Sequence, residues 1–192
     1  EAIEYNITYI MNGGTNHAEN PSKYTVEKLP ITLKNPSYTG HTFKGWTPND
    51  TIPVGSTGDK TFTANWDVNI YNITTSATNG TITPSRTVSY GDSATIEYKA
   101  NIGYHLESIA IDGVPLADIT GYGTSYTFTN VDDDHTISVV FAANPYTITT
   151  AVINGTISTS QSAVAGGNVN VTYSANSGYH LESITVDGAP LS

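Results

Sequence analysis

The feature that most constrains this chain is an internal period of 75 residues. Tyr71-Asn-Ile-Thr-Thr recurs as Tyr146-Thr-Ile-Thr-Thr, and Asn79-Gly-Thr-Ile recurs as Asn154-Gly-Thr-Ile. The stretch Gly103–Ile109 returns unchanged as Gly178–Ile184. Across 71–117 and 146–192, 24 of 47 aligned positions are identical, with no insertion. Self-similarity at a fixed spacing marks a repeat architecture in which each copy is a folding unit. Between the copies Ile96 becomes Val171 and Ile111 becomes Val186, whereas Arg86 becomes Gln161 and Lys99 becomes Ser174. Apolar positions keep their character while polar neighbours drift, as expected of sheets with one buried and one wet face.

Period-two alternation places the strands. Tyr71, Ile73 and Thr75 alternate with polar residues, as do Ala94, Ile96, Tyr98 and Ala100. Leu106–Ile111 leads into Asp112-Gly113, and Asn79-Gly80 follows the Tyr71 strand; both dipeptides favour tight hairpins because Gly accepts positive φ. Tyr126 and Phe128, then Ile137, Val139 and Phe141, complete two further strands. Composition agrees: 18 Ile, 13 Val and 30 Thr stand against six Leu, and β-branched side chains suit pleated sheet. The expected fold class is all-β, mainly antiparallel, in tandem small modules, the long repeats being sandwich- or barrel-like.

Residues 1–67 do not share the repeat. They read as a strand at Tyr5–Ile10, a segment Ser22–Lys28 that is one helical turn or a short extended piece and is taken as a turn, a strand near Ile31–Leu33, and a closing run in which Phe62, Ala64 and Trp66 share a face. The expected domains are 1–67, 68–145 and 146–192. Links at Asp67–Asn69 and Ala142–Pro145 are short and lack Gly, which limits swinging between neighbours.

The first unit carries Asn12-Gly-Gly-Thr-Asn, Gly40-His-Thr-Phe-Lys-Gly-Trp46, Gly55-Ser-Thr-Gly-Asp59 and Phe62-Thr-Ala-Asn-Trp66. In this order they resemble the Listeria–Bacteroides repeat, a module of the internalin B-repeat type. The resemblance implies a β-grasp-like fold, a sheet folded over a short crossing segment. Residues 70–141, with Asn-Gly-Thr-Ile, Gly103-Tyr104, Ile111-Asp-Gly113 and Asp133–Phe141, resemble the divergent B-repeat type; 146–192 match its first two thirds. Such modules occur in secreted or wall-anchored bacterial proteins as spacers and adhesive segments.

Several function classes are excluded or weakened by composition. A formal charge of −10 disfavours nucleic acid as a partner. No apolar run approaches the ~20 residues of a membrane span, and no signal peptide is expected within these residues. The absence of Cys removes disulfides and thiolate–zinc sites.

Candidate chemistry is sparse. Tyr38 and Trp46 are the candidate ligand contacts, since exposed aromatics stack on sugar rings, although aromatics also dominate small cores. His105-Leu-Glu107 and His180-Leu-Glu182 set His and Glu on one strand face, without a third metal ligand, so a solvated face outweighs a zinc site. Asp132-Asp133-Asp134 invites calcium, yet it lies where a hairpin must turn and lacks the EF-hand spacing. The sequons at Asn6, Asn72 and Asn170 fall in strands. An isopeptide staple at Lys99, beside Glu97 and Glu107, is undercut by Ser174 in the second copy. No catalytic residue, metal or cofactor is expected.

The second copy lacks counterparts of 118–141, which would leave Val171, Tyr173, Ile184 and Val186 without cover. The expectation is a piece of a longer array, whose open edge at 146–192 pairs with another chain or stays loose. At about 25–30 Å per compact unit, three in a row project something ~80 Å. The expected function is a non-enzymatic repeat segment of a bacterial cell-surface or secreted protein, acting as spacer or stalk and adhesive element. Its partners would be neighbouring modules and a host or bacterial surface glycan or protein. The alternative is a carbohydrate- or protein-binding module using aromatics near Tyr38 and Trp46.

Overall fold

The computed structural model describes residues 2–121 and 123–191. Their regular structure is strand, apart from one 3-10 turn at Val26–Lys28. The fold is all-β, in several small sheets.

The first six strands are β1 (Tyr5–Ile10), β2 (Lys23–Tyr24), β3 (Ile31–Thr32), β4 (His41–Thr47), β5 (Thr51–Ile52) and β6 (Lys60–Val68). The stretch expected to turn over Ser22–Lys28 thus divides into a short strand and a 3-10 turn. A four-stranded sheet runs β2-β1-β6-β4, and β3 pairs separately with β5. Its central pair is parallel, with Ile7 opposite Lys60 and Ile10 opposite Thr63. Parallel neighbours need a long crossover, and the whole span from β2 to β5 supplies it. One core lies here: Ile7, Tyr24, Leu33, Trp46, Ile52, Phe62 and Ala64 are buried, with Tyr9, Met11, Phe43 and Trp66 packed around them. A bulge between Phe43 and Gly45 shifts the register of β4 against β6. Gly45 at φ 121° supplies a conformation that residues with a Cβ rarely adopt.

The next eight strands are β7 (Ile70–Thr78), β8 (Gly80–Ile82), β9 (Arg86–Ser89), β10 (Ala94–Ala100), β11 (Tyr104–Ile111), β12 (Val114–Pro115), β13 (Ser125–Phe128) and β14 (His135–Ala143). They form a three-stranded sheet, β13-β10-β8, and a five-stranded one, β12-β11-β14-β7-β9. The expected alternation is met. Along β10, Ala94, Ile96 and Tyr98 are buried while Thr95, Glu97 and Lys99 are exposed. On β14, Ile137, Val139 and Phe141 are buried at 1–2% exposure. The hairpin turns are where Asn-Gly and Asp-Gly put them, with Asn79 at φ 59° and Asp112 at φ 50°.

The last strands are short: β15 (Pro145–Ile148), β16 (Gly155–Ile157), β17 (Gln161–Val164), β18 (Tyr173–Ala175), β19 (Thr185–Val186) and β20 (Ala189–Pro190). They pair two by two, β15 with β17, β16 with β18 and β19 with β20. No described residue from Ala142 onward is buried.

By backbone proximity the chain divides into two compact units. One takes residues up to Thr75 with 84–96 and 125–137; the other takes 76–83, 97–124 and everything from Ser138 onward. Within the first unit, β6 ends at Val68 and β7 begins at Ile70, so the link expected at Asp67–Asn69 is the single residue Asn69. Within the second, only Asn144 separates β14 from β15. The links are shorter than the sequence suggested because strand pairing runs to the last residue on either side.

Candidate functional site

The aromatic residues of the first repeat form a cluster in two tiers. Trp46, on the inward face of β4, is 6% exposed. Its ring lies edge-on to Phe43 at 5.5 Å and to Phe62 at 6.4 Å, and tilted against Tyr9 at 5.6 Å. Its indole Nε1 is buried with no hydrogen-bond partner. Tyr9 donates its hydroxyl to the Pro21 carbonyl at 2.9 Å, and burial pushes its pKa up to about 12. Tyr24, 1% exposed, donates to the Gly58 carbonyl at 2.7 Å, and burial likewise raises its pKa.

Tyr38 belongs to the outer tier and is half-buried. Its ring stacks face to face on His41, with centroids 3.9 Å apart and planes 2° from parallel. Trp66 meets Tyr38 edge-on at 5.5 Å and anchors its own indole N–H on the Met11 carbonyl at 2.9 Å. A Cβ added at Gly13 would come within 2.8 Å of the Tyr38 ring and hydroxyl, so the Asn12-Gly13 turn lies against that side. Tyr38 therefore has one face on His41 and its tip against backbone. Trp66 and Phe43 stand between it and Trp46, through ring contacts of 5.5, 5.2 and 5.5 Å. The two candidate contacts belong to one aromatic network, with Trp46 in its interior and Tyr38 at its rim.

The titratable candidates disperse. His105 Nδ1 donates to Asn144 Oδ1 at 2.8 Å, while Glu107, His180 and Glu182 are exposed. Among the described residues, no group of three or more His, Asp or Glu is placed to hold a metal ion. In the acidic run, Asp133 accepts from the Asp134 N–H at 2.8 Å, and Asp134 accepts from the Asn72 N–H at 2.6 Å. These carboxylates bind backbone, as turn residues do. An open depression of about 380 Å³ is lined by Arg86, Thr87, Val88, Ser89, Asp92 and Ser93, and brings no cluster of acids and bases together.

One arrangement was missed from sequence. Asp59, just before β6, accepts from the Asn6 N–H at 2.7 Å and from its side-chain amide at 3.3–3.4 Å. The Asn6 backbone bond, then its side-chain bond, hold the Asp59 carboxyl below the usual carboxylate range. Asp134, just before β14, does the same to Asn72 on β7. The signal was available: Tyr5-Asn-Ile-Thr and Tyr71-Asn-Ile-Thr share four residues, although their units otherwise differ. The clamp ties each opening strand to the turn before its closing strand.

The family model of the Listeria-Bacteroides repeat domain matches residues 5–74. That of the divergent InlB B-repeat domain matches 71–145 and again 146–191. Searches of curated proteins and of solved structures returned no match. Repeats of this kind are typical of bacterial surface and secreted proteins and are generally non-catalytic. Among the described residues no helix is long and apolar enough to cross a membrane. The chain thus belongs to the divergent InlB B-repeat domain family, carrying two matches to it behind a Listeria-Bacteroides repeat domain.

Proposed function

We propose that this chain is a non-enzymatic spacer segment of a bacterial cell-surface or secreted protein. In this reading residues 1–67, 68–145 and 146–192 are successive modules, the parent protein is held at the cell wall, and the array serves adhesion by projecting what it carries. The observation that supports it is where the large aromatics go. Tyr24, Trp46, Phe62, Phe128 and Phe141 are 1–6% exposed. Aromatic side chains placed inside hold a small module together and are withheld from a partner. The formal charge of −10 favours solubility and discourages sticking to anionic surfaces.

A second reading is a glycan or protein contact at the rim of the aromatic network. It is favoured by the half-exposed Tyr38–His41 stack, with Trp46 supporting it from the core. Edge pairing of 146–192 with another chain is a third kind of partner.

Glycan-array and host-protein screens on the intact chain, run beside Tyr38→Ala, separate these readings. The spacer reading expects no saturable binding, and a single-molecule extension step of about 250 Å for the ~75-residue module 68–145. Saturable binding that Tyr38→Ala abolishes, at unchanged thermal stability, would overturn it.

A further inference from the structure

Both one-residue links are built by the same set of bonds. At the first, the Asn69 N–H donates to the Gly40 carbonyl at 2.9 Å. The Asn69 carbonyl in turn accepts from the Tyr90 N–H at 2.9 Å. The Asn69 side chain accepts from the Thr42 hydroxyl at 2.7 Å. At the second, the Asn144 N–H donates to the Gly103 carbonyl at 2.7 Å, and the Asn144 carbonyl accepts from the Ala165 N–H at 3.1 Å. The Asn144 side chain accepts from His105 at 2.8 Å. Each Asn follows the strand that leaves one repeat and precedes the strand that opens the next. It bonds backward twice and forward once. The forward donor is 21 residues on in both cases, and the side-chain donor is two residues past the glycine in both.

The glycines match as well. Gly40 at φ 71° and Gly103 at φ 85° occupy the third position of turns closed by His41 N–H to Tyr38 at 3.1 Å and Tyr104 N–H to Asn101 at 3.0 Å. Positive φ at that turn position calls for Gly. The missing side chain also admits the next repeat. A Cβ on Gly40 would lie 2.0 Å from the Tyr90 ring, and one on Gly103 would lie 2.8 Å from the Ala165 Cβ. The residue that donates to the Asn carbonyl is the one whose side chain covers the glycine.

We propose that this Gly–Asn clasp is the joint by which repeats of this chain are coupled, and that the turn at Gly178 with His180 is the same docking surface on the last repeat. Its partner is the connecting segment of a further repeat, with an Asn ahead of its opening strand and a small or aromatic residue 21 positions later. The third turn is already formed: Gly178 has φ 85°, and the Tyr179 N–H reaches the Asn176 carbonyl at 3.0 Å. His180 stands two residues beyond, as His105 does beyond Gly103. A Cβ on Gly178 meets open space. The inference goes beyond the spacer reading and rests on bond geometry alone, so a ligand found at Tyr38 would leave it standing.

Amide hydrogen exchange on the full chain tests it, with Gly103→Ala and Gly178→Ala as a matched pair. Both place a Cβ at the same positive φ in the same turn, so turn strain cancels between them. Gly103→Ala should speed exchange of the Asn144 and Ala165 amides about tenfold, as expected when each loses its hydrogen bond. Gly178→Ala should leave those two amides unchanged. Equal rates in the two variants would end the clasp. In a chain continued past Ser192 by a second copy of residues 118–166, Gly178→Ala should speed exchange at the appended copy of Asn144 about tenfold. No change there would end the docking surface.

Discussion

Residues 71–117 and 146–191 are close to the same sequence in two structural conditions. In the first copy Ile73, Ile96 and Ile109 are 0% exposed and Tyr98 is 4% exposed. In the second, Val171 is 37%, Tyr173 50% and Val186 53% exposed. What survives in both is local. Asn79 and Asn154 hold φ 59° and 52°, Asp112 and Asp187 hold 50° and 51°, and Gly103 and Gly178 hold 85°. The short hairpin strands keep their length, β8 matching β16 and β9 matching β17. What differs is long-range. The strand Tyr104–Ile111 shrinks to Thr185–Val186, and Ala94–Ala100 to Tyr173–Ala175. In the first copy those strands lie beside β14 and β13, which carry the buried Phe128, Ile137, Val139 and Phe141. Turn chemistry writes the hairpins, but an alternating strand reaches full length only when another strand covers it.

The comparison is broken most severely by removing that cover. Phe141→Ala, at a residue 2% exposed, should cost about 3–5 kcal/mol in denaturant unfolding, as large aromatic-to-Ala changes in cores do. It should bring the first copy toward the exchange behaviour of the second. A loss below about 1 kcal/mol would mean that β14 is not what buries 71–117.

A smaller effect separates two matched glycines. A Cβ on Gly80 would lie 2.3 Å from the Phe141 ring and 2.5 Å from the Lys99 carbonyl, whereas one on Gly155 meets the matching Ser174 carbonyl at 2.6 Å and Val152 at 3.1 Å. Gly80→Ala should destabilise by about 1–3 kcal/mol through overpacking against a ring that has nowhere to go. Gly155→Ala should cost less, because it meets the matching backbone carbonyl but no buried ring. Thermal melts of the two variants check this, and equal losses would contradict it.

The unrelated first repeat sharpens the contrast through pH. Tyr9 is pushed up to about 12 by burial, above its ordinary value of 10.0. A raised folded-state pKa means that its stabilisation is complete below pH ~10 and is lost as pH climbs toward 12. Tyr9→Phe should flatten the alkaline limb of a stability–pH curve read by Trp fluorescence. An unchanged limb would place the alkaline sensitivity elsewhere.

The smallest effect is at the Asp59 clamp. With its carboxyl held low by the Asn6 bonds, its contribution is present above the ordinary carboxylate pKa and lost as pH falls through the depressed one. Asp59→Asn should reduce the acid dependence of the first repeat and leave 146–191 untouched. Every bond of Asp59 in the clamp goes to Asn6, so residues 146–191 take no part in its titration. Acid melts in which both respond alike would contradict the clamp's local role.

These contrasts also explain how much was legible in the sequence. Alternation identifies which residues share a face, and Gly after Asn or Asp identifies turns, because both signals act within a few residues. The strands at Ala94–Ala100 and Leu106–Ile111 are readable for that reason, whereas Trp46, a candidate contact in the sequence, lies buried. The parallel pairing of Ile7 with Lys60 was not, since no local rule says which distant strand completes a sheet. Nor was the stacking of Tyr38 on His41, which depends on a turn bringing residues three apart into register. The one-residue links escaped notice because polar residues such as Asp67 and Asn69 read as connection. Strand pairing and the Asn69 bonds in fact carry the sheets up to them.

Site-resolved hydrogen exchange on the unmodified chain decides whether cover by other strands or local sequence closes the core, because both copies are read in one sample. The amides of Ile96, Tyr98 and Ile109 should exchange at least about a hundredfold more slowly than those of Val171, Tyr173 and Ile184, reflecting opening free energies that differ by ~3 kcal/mol or more. Matching protection in the two copies would contradict it, because local sequence alone would then be enough to close the core.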